Sequence, residues 1–229
     1  MIYILKKPLT VAFLGIIFLF GFLIGYDLEG DFLVYFSFRI TIPTVRYMVL
    51  MIILYIDCLV FRSLNSSMIL FRNKSLLDFF KNVMKQEIKV VMIFSFFLFV
   101  PILFLNLSKV IDYASYFILI FLNFVVIVFF LITVIRIIDI WVNKRTLSTI
   151  IGFISFVAID YFTQEILFNS QFQNPITLND IFILPLKLPL SIYAILLFVL
   201  IIATLMLSIL SILQMSKKDY LIKNDEIIE

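Results

Sequence analysis

Residues 114–134 read ASYFILIFLNFVVIVFFLITV, 21 consecutive positions without a charged side chain. At about 1.5 Å rise per residue an α-helix of this length spans about 30 Å, the thickness of the hydrocarbon core of a bilayer. The apolar block is unbroken. A strand of a membrane β-barrel would instead alternate lipid-facing apolar residues with lumen-facing polar ones. Outward from this segment, five further stretches meet or approach the same length, at 8–26, 43–61, 90–107, 147–168 and 190–213. The reading is all-α: a single transmembrane domain over residues 1–229 with six membrane-crossing helices.

Composition points the same way. Hydrophobic residues make up 64% of the 229 positions and charged residues 14%, whereas soluble domains run at about one-half and one-quarter. The connections are too short for an independent soluble domain, which needs at least about 50 residues. Lys6 and Lys7 precede the first apolar stretch, but it is longer than a signal-peptide core and no A-x-A-like site follows, so an uncleaved helix is expected. Cys58, the single cysteine, can form no intrachain disulfide.

Orientation follows from Lys and Arg, which are retained on the cytoplasmic side of helix ends. With the amino terminus inside, 14 of the 18 basic residues fall on inner segments: Lys6 and Lys7, six between Arg62 and Lys89, Arg136 with Lys144 and Arg145, and Lys217, Lys218 and Lys223. Only Arg39, Arg46, Lys109 and Lys187 fall outside. Both termini are therefore expected in the cytoplasm. No basic run is interleaved with aromatics as on a nucleic-acid surface; the partner surface is the lipid bilayer.

Ser75 to Lys89, before the third span, reads as an amphipathic cytoplasmic helix. Leu76, Phe79, Phe80 and Val83 recur at helical spacing with Leu77, Met84 and Ile88, while Asp78, Lys81, Asn82, Lys85 and Gln86 fill the other side. Ser75 and Asp78 match a capping box at its start. Two readings stay open: a helix lying in the headgroups with its lysines on anionic lipid, and a docking surface for a cytoplasmic subunit.

Residues 70–81, LFRNKSLLDFFK, resemble the loop between the second and third helices of small ABC-2-type permeases, which often carry an aromatic-Arg-x-(Lys/Arg)-Ser stretch followed by an aromatic amphipathic helix. Phe71, Arg72, Lys74, Ser75, Phe79 and Phe80 supply those positions. The motif covers some twenty residues, and the helix count, inside termini and length are similar throughout. The resemblance implies a multi-pass permease subunit of an ABC exporter in the plasma membrane of a Gram-positive bacterium. Its expected partners are a separate cytoplasmic ATPase and a second permease copy or related permease. The substrate class it implies is an amphipathic or antimicrobial peptide, in export or immunity. ATP and Mg would then bind the partner, with no cofactor on this chain. The expected docking residues are Arg72, Lys74, Leu76, Phe79, Phe80, Lys81 and Val83.

Catalytic chemistry on the chain itself is not expected. None of its five glycines fits the phosphate-wrapping G-x-x-x-x-G-K-[ST] loop, and without histidine neither a Ser-His-Asp set nor an H-E-x-x-H zinc site is available. Ionisable residues within apolar stretches usually face a bundle interior or a wet cavity. Asp57 is close enough to the inner end of the second span to reach the interface. Asp160 and Glu165, in the outer part of the fifth, are pathway candidates, either inside the bundle or in a wet outer cap. Gly21 and Gly25 form a G-x-x-x-G pair, the spacing that lets helices approach closely in lipid, and are helix-contact candidates. Two other functions remain open: a stand-alone immunity or scaffold protein, and a secondary transporter using Asp160 or Glu165 as proton carrier.

Overall fold

A computed structural model describes residues 8–26, 43–64, 76–142, 144–169 and 190–225. The described residues form seven helices and no strand: α1 (Pro8–Gly25), α2 (Pro43–Leu64), α3 (Leu76–Leu105), the short α4 (Leu107–Asp112), α5 (Ala114–Val142), α6 (Arg145–Asn169) and α7 (Leu190–Asp225). Six of them cover the six apolar stretches. By length and apolarity, four segments among the described residues can cross a membrane: Pro8–Gly25, Lys81–Leu105, Ala114–Val142 and Leu197–Gln214. In α2 the apolar part, Tyr47–Leu59, is shorter.

Three boundaries differ from the sequence reading. The amphipathic stretch is not a separate helix before the third span; the two are one helix of 30 residues. No Gly or Pro interrupts residues 76–100, and Val83, Val90, Val91 and Phe94, all 1% exposed or less, form one buried stripe through the whole run. With that stripe continuous, nothing favours a break. Likewise α5 continues to Val142 and α6 begins at Arg145, so the expected connection at 135–146 shrinks almost to nothing. Arg136 and Arg145 thereby become helical residues. At the carboxyl end α7 runs on past Gln214 to Asp225, 36 residues in all.

The buried core is formed by α1, α2, α3, α5 and α6, with Val110 of α4. Phe99 of α3 meets Phe117, Phe121 and Phe124 of α5 at ring-centroid distances of 5.7, 5.2 and 5.8 Å. The first two contacts are edge-on, which suits the quadrupoles of aromatic rings, and the third is tilted. The α1–α3 seam depends on missing side chains: a Cβ on Gly21 would stand 2.1 Å from the carbonyl oxygen of Leu98, and one on Gly25 would stand 2.9 Å from the Cα of Ile102. The two backbones therefore touch, with Pro101 beside Gly21. Asn106 completes the seam by donating from Nδ2 to the carbonyl of Gly25 at 2.8 Å, satisfying an acceptor at the end of α1 that has no partner in its own helix. On the outer surface Leu19, Leu23, Phe198 and Met206 are more than 60% exposed. Apolar side chains both inside and outside mark helices solvated by lipid.

Candidate functional site

The carboxyl-terminal ends of α2 and α5 and the amino-terminal ends of α3 and α6 lie at one end of the bundle, and four charges are buried there. Asp57 comes from α2, Glu87 from α3, Arg136 from α5 and Arg145 from the first position of α6. Their side chains are 3%, 1%, 1% and 7% exposed. Arg136 donates from Nη2 to Glu87 Oε2. Arg145 donates from Nη2 to Asp57 Oδ2 at 2.6 Å and lies 3.6 Å from Glu87 Oε1. Two carboxylates and two guanidinium groups balance, so the cluster carries no formal charge into the bundle.

Local sequence explains how each group arrives there. Glu87 occupies the Val83–Val90–Phe94 stripe of α3, the face that packs inward, so the carboxylate is carried into the core by the same periodicity that buries the valines. Beside the cluster, Cys58 Sγ and Thr146 Oγ1 approach to 3.9 Å, joining the residue after Asp57 to the residue after Arg145. Ser148 braces the α5–α6 turn by donating to Asp139 Oδ1 at 3.2 Å and to the Lys144 carbonyl at 3.0 Å.

Burying charges is costly unless they are paired, and removing one member of a buried pair costs about 3–5 kcal/mol. The cluster therefore fixes the relative positions of four helices at this end. It is incompletely satisfied. Asp57 Oδ1 and the Nε and Nη1 groups of Arg136 are buried without hydrogen-bond partners.

Near the opposite end, the Tyr47 hydroxyl of α2 donates to Asp160 Oδ2 of α6. Asp160 is fully buried, inside the bundle. Phe153, two turns from Asp160 on α6, meets the Tyr47 ring edge-on at 6.4 Å.

The expected site residues are distributed as follows. Val83 is buried in the bundle at 1% exposure, so it belongs to the core and not to an open docking face. Lys81 is exposed. Leu76, Phe79 and Phe80 lie on α3, but their side chains fall outside the described residues, as do Arg72 and Lys74 entirely. Glu165 lies on α6 and its side chain is likewise outside them. Gly21 and Gly25 sit on the α1–α3 seam. Asp57 does not reach the interface; it is turned inward onto Arg145.

Glu87 escaped the sequence reading, and Arg136 and Arg145 entered it only as loop charges. One signal was available: an acidic residue on the apolar stripe of an amphipathic helix requires a cation from elsewhere.

No family model, curated protein or solved structure matches this chain. Among the described residues no group of three or more His, Cys, Asp or Glu could hold a metal ion. Both carboxylates of the cluster are held by guanidinium groups, an arrangement suited to locking helices together.

Proposed function

We propose that this chain is the membrane-spanning permease subunit of an exporter driven by a separate cytoplasmic ATPase, with six crossings and both termini inside. The observation that carries the reading is the continuity of α3 through Glu87. Its 30 residues span about 45 Å, well beyond the ~30 Å hydrocarbon core. A displacement of its amino-terminal turns is passed by a rigid helix to Glu87, and through Arg136 and Arg145 to α5, α6 and α2. That is the mechanical linkage a transporter powered from outside the membrane requires. The inner placement of this end is supported by the 14 inner basic residues of 18. The resemblance of residues 70–81 to ABC-2-type permeases supports an amphipathic peptide as substrate and a second copy or related permease completing the pathway. ATP and Mg belong to the partner in this reading.

The test is copurification with an ATPase from native membranes. Buried aromatic anchors cost about 2 kcal/mol or more on truncation, roughly thirtyfold in affinity. Phe79→Ala/Phe80→Ala should therefore insert normally and lose both the ATPase and transport. Retention of the ATPase by the double variant would overturn the docking assignment.

The burial of Asp160 within the bundle favours one second reading, a proton-coupled transporter, because ionisable groups at membrane depth are usually functional. Proton-driven transport in vesicles free of any ATPase, abolished by Asp160→Asn, would establish it in place of the exporter.

A further inference from the structure

A cavity of about 130 Å³ opens between α3, α5 and α7, lined by Ile88 and Val91, by Val125, Val126 and Phe129, and by Ile201, Thr204 and Leu205. Thr204 is its single polar wall residue, and its hydroxyl donates to the Leu200 carbonyl at 2.7 Å within its own helix. The wall thus offers a ligand only apolar surface. Val91 is fully buried and forms the floor, while Ile88 and Leu205 are 44% and 51% exposed and form the rim. The slot opens sideways on the surface of three helices that carry candidate membrane spans.

An occupant must be narrow and apolar. The slot is too small for a second helix, whose diameter with side chains is about 10 Å, and a dry apolar wall holds water poorly. An alkyl chain from the surrounding bilayer meets both conditions. What lies below the slot on α3 selects the rest of the molecule. Lys85 and Lys81 stand three and seven residues before Ile88, so helical periodicity puts all three on one side, with the ammonium groups nearer the helix end. Both lysines are exposed. Their backbone positions lie about 4.5 and 10.5 Å along the axis from Ile88, toward the amino-terminal end of the helix, which sets two cations beneath an apolar slot.

We propose that the groove between α3, α5 and α7 binds an anionic phospholipid, one acyl chain in the slot and the phosphate on Lys81 and Lys85. The inference needs only the membrane-embedded bundle and is independent of the exporter reading. The bound lipid fills a packing defect next to Val91, one turn from Glu87, so it supports the helix that carries the charge cluster.

The full chain, purified in a mild maltoside detergent, is offered an equimolar mixture of phosphatidylglycerol and phosphatidylcholine and examined by native mass spectrometry. The expected result is retention of phosphatidylglycerol over phosphatidylcholine by about tenfold or more, from two lysines near the headgroup. Val126→Trp, which fills the slot, should remove retention of both lipids. Lys81→Gln/Lys85→Gln should bring the ratio close to unity. Equal retention of the two lipids by the unaltered chain, undiminished retention in Val126→Trp, or a bound mass corresponding to a fatty acid or peptide overturns the proposal. A measurement on the unaltered chain guards against misfolding of the tryptophan variant. A phosphatidylglycerol probe with a diazirine in its tail should label Val125, Val126, Phe129 and Leu205 above Leu19 and Leu23, which are exposed on α1. Equal labelling of the two sets overturns it as well.

Discussion

Glu87 of α3 and Arg136 of α5, 49 positions apart in the chain, form an ion pair in which each side chain is 1% exposed. A pair so placed is not a surface decoration. Each charge is tolerable in the bundle because it is paired, and Glu87 also lies 3.6 Å from Arg145.

The first prediction concerns that dependence. Glu87→Leu or Arg136→Met alone strands a buried charge and should destabilise the bundle by about 3–5 kcal/mol. Glu87→Leu/Arg136→Met removes both charges, leaves the Asp57–Arg145 pair balanced, and should recover most of the loss. Thermal unfolding in detergent across the four chains of the cycle gives the coupling energy. Additive losses, with no recovery in the double variant, would show that the pair is not coupled.

A second prediction uses two glycines on one helix. Gly21 faces the Leu98 carbonyl, whereas nothing lies within 4 Å of where a Cβ on Gly15 would be. Gly21→Ala should cost about 1–3 kcal/mol through forced separation of α1 from α3, while Gly15→Ala should be neutral or slightly stabilising. Resistance to unfolding in dodecyl sulfate separates the two. Equal effects would mean that α1 and α3 are not in backbone contact.

Cys58 provides a third, direct check. It is 7% exposed and lies beside the charge cluster. In the folded chain it should resist a small maleimide, and it should react fully once the protein is denatured. Glu87→Gln should raise its labelling rate in proportion to the opening of that end of the bundle. Rapid labelling of the unaltered protein would contradict the packing of α2 against α6.

The hydrogen bond from Tyr47 to Asp160 motivates a fourth. Tyr47→Phe removes one hydrogen bond to a buried carboxylate, at a cost of about 1–3 kcal/mol. Because Asp160 is fully buried, a cysteine placed there in a Cys58→Ser background should be protected from an impermeant maleimide in the resting protein. Labelling from the outside at rest would place position 160 in an open cavity.

Topology supplies the fifth. A reporter active only in the cytoplasm should work when fused after Ser75 and after Glu229, and fail when inserted near Gly30 or Asn174. Activity at either of the last two sites would contradict the six-crossing arrangement with both ends inside.

Hydropathy is a property of neighbouring residues, so the sequence alone determined the solvent and the helical class. A run such as 114–134 must satisfy its backbone polar groups internally in lipid, whatever lies beside it. The Gly21–Gly25 spacing was legible for the same reason, although the helix it meets was not. Tertiary structure decided what depends on how helices are rotated against one another. Asp57 read as an interfacial side chain and Arg136 as a loop cation, because each has its partner on another helix and spacing along the chain carries no record of it. The continuity of α3 was decided in the same way. Its amino-terminal turns have a polar side that suits the interface, but packing Val83 and Glu87 into the bundle makes them part of one helix with the span that follows.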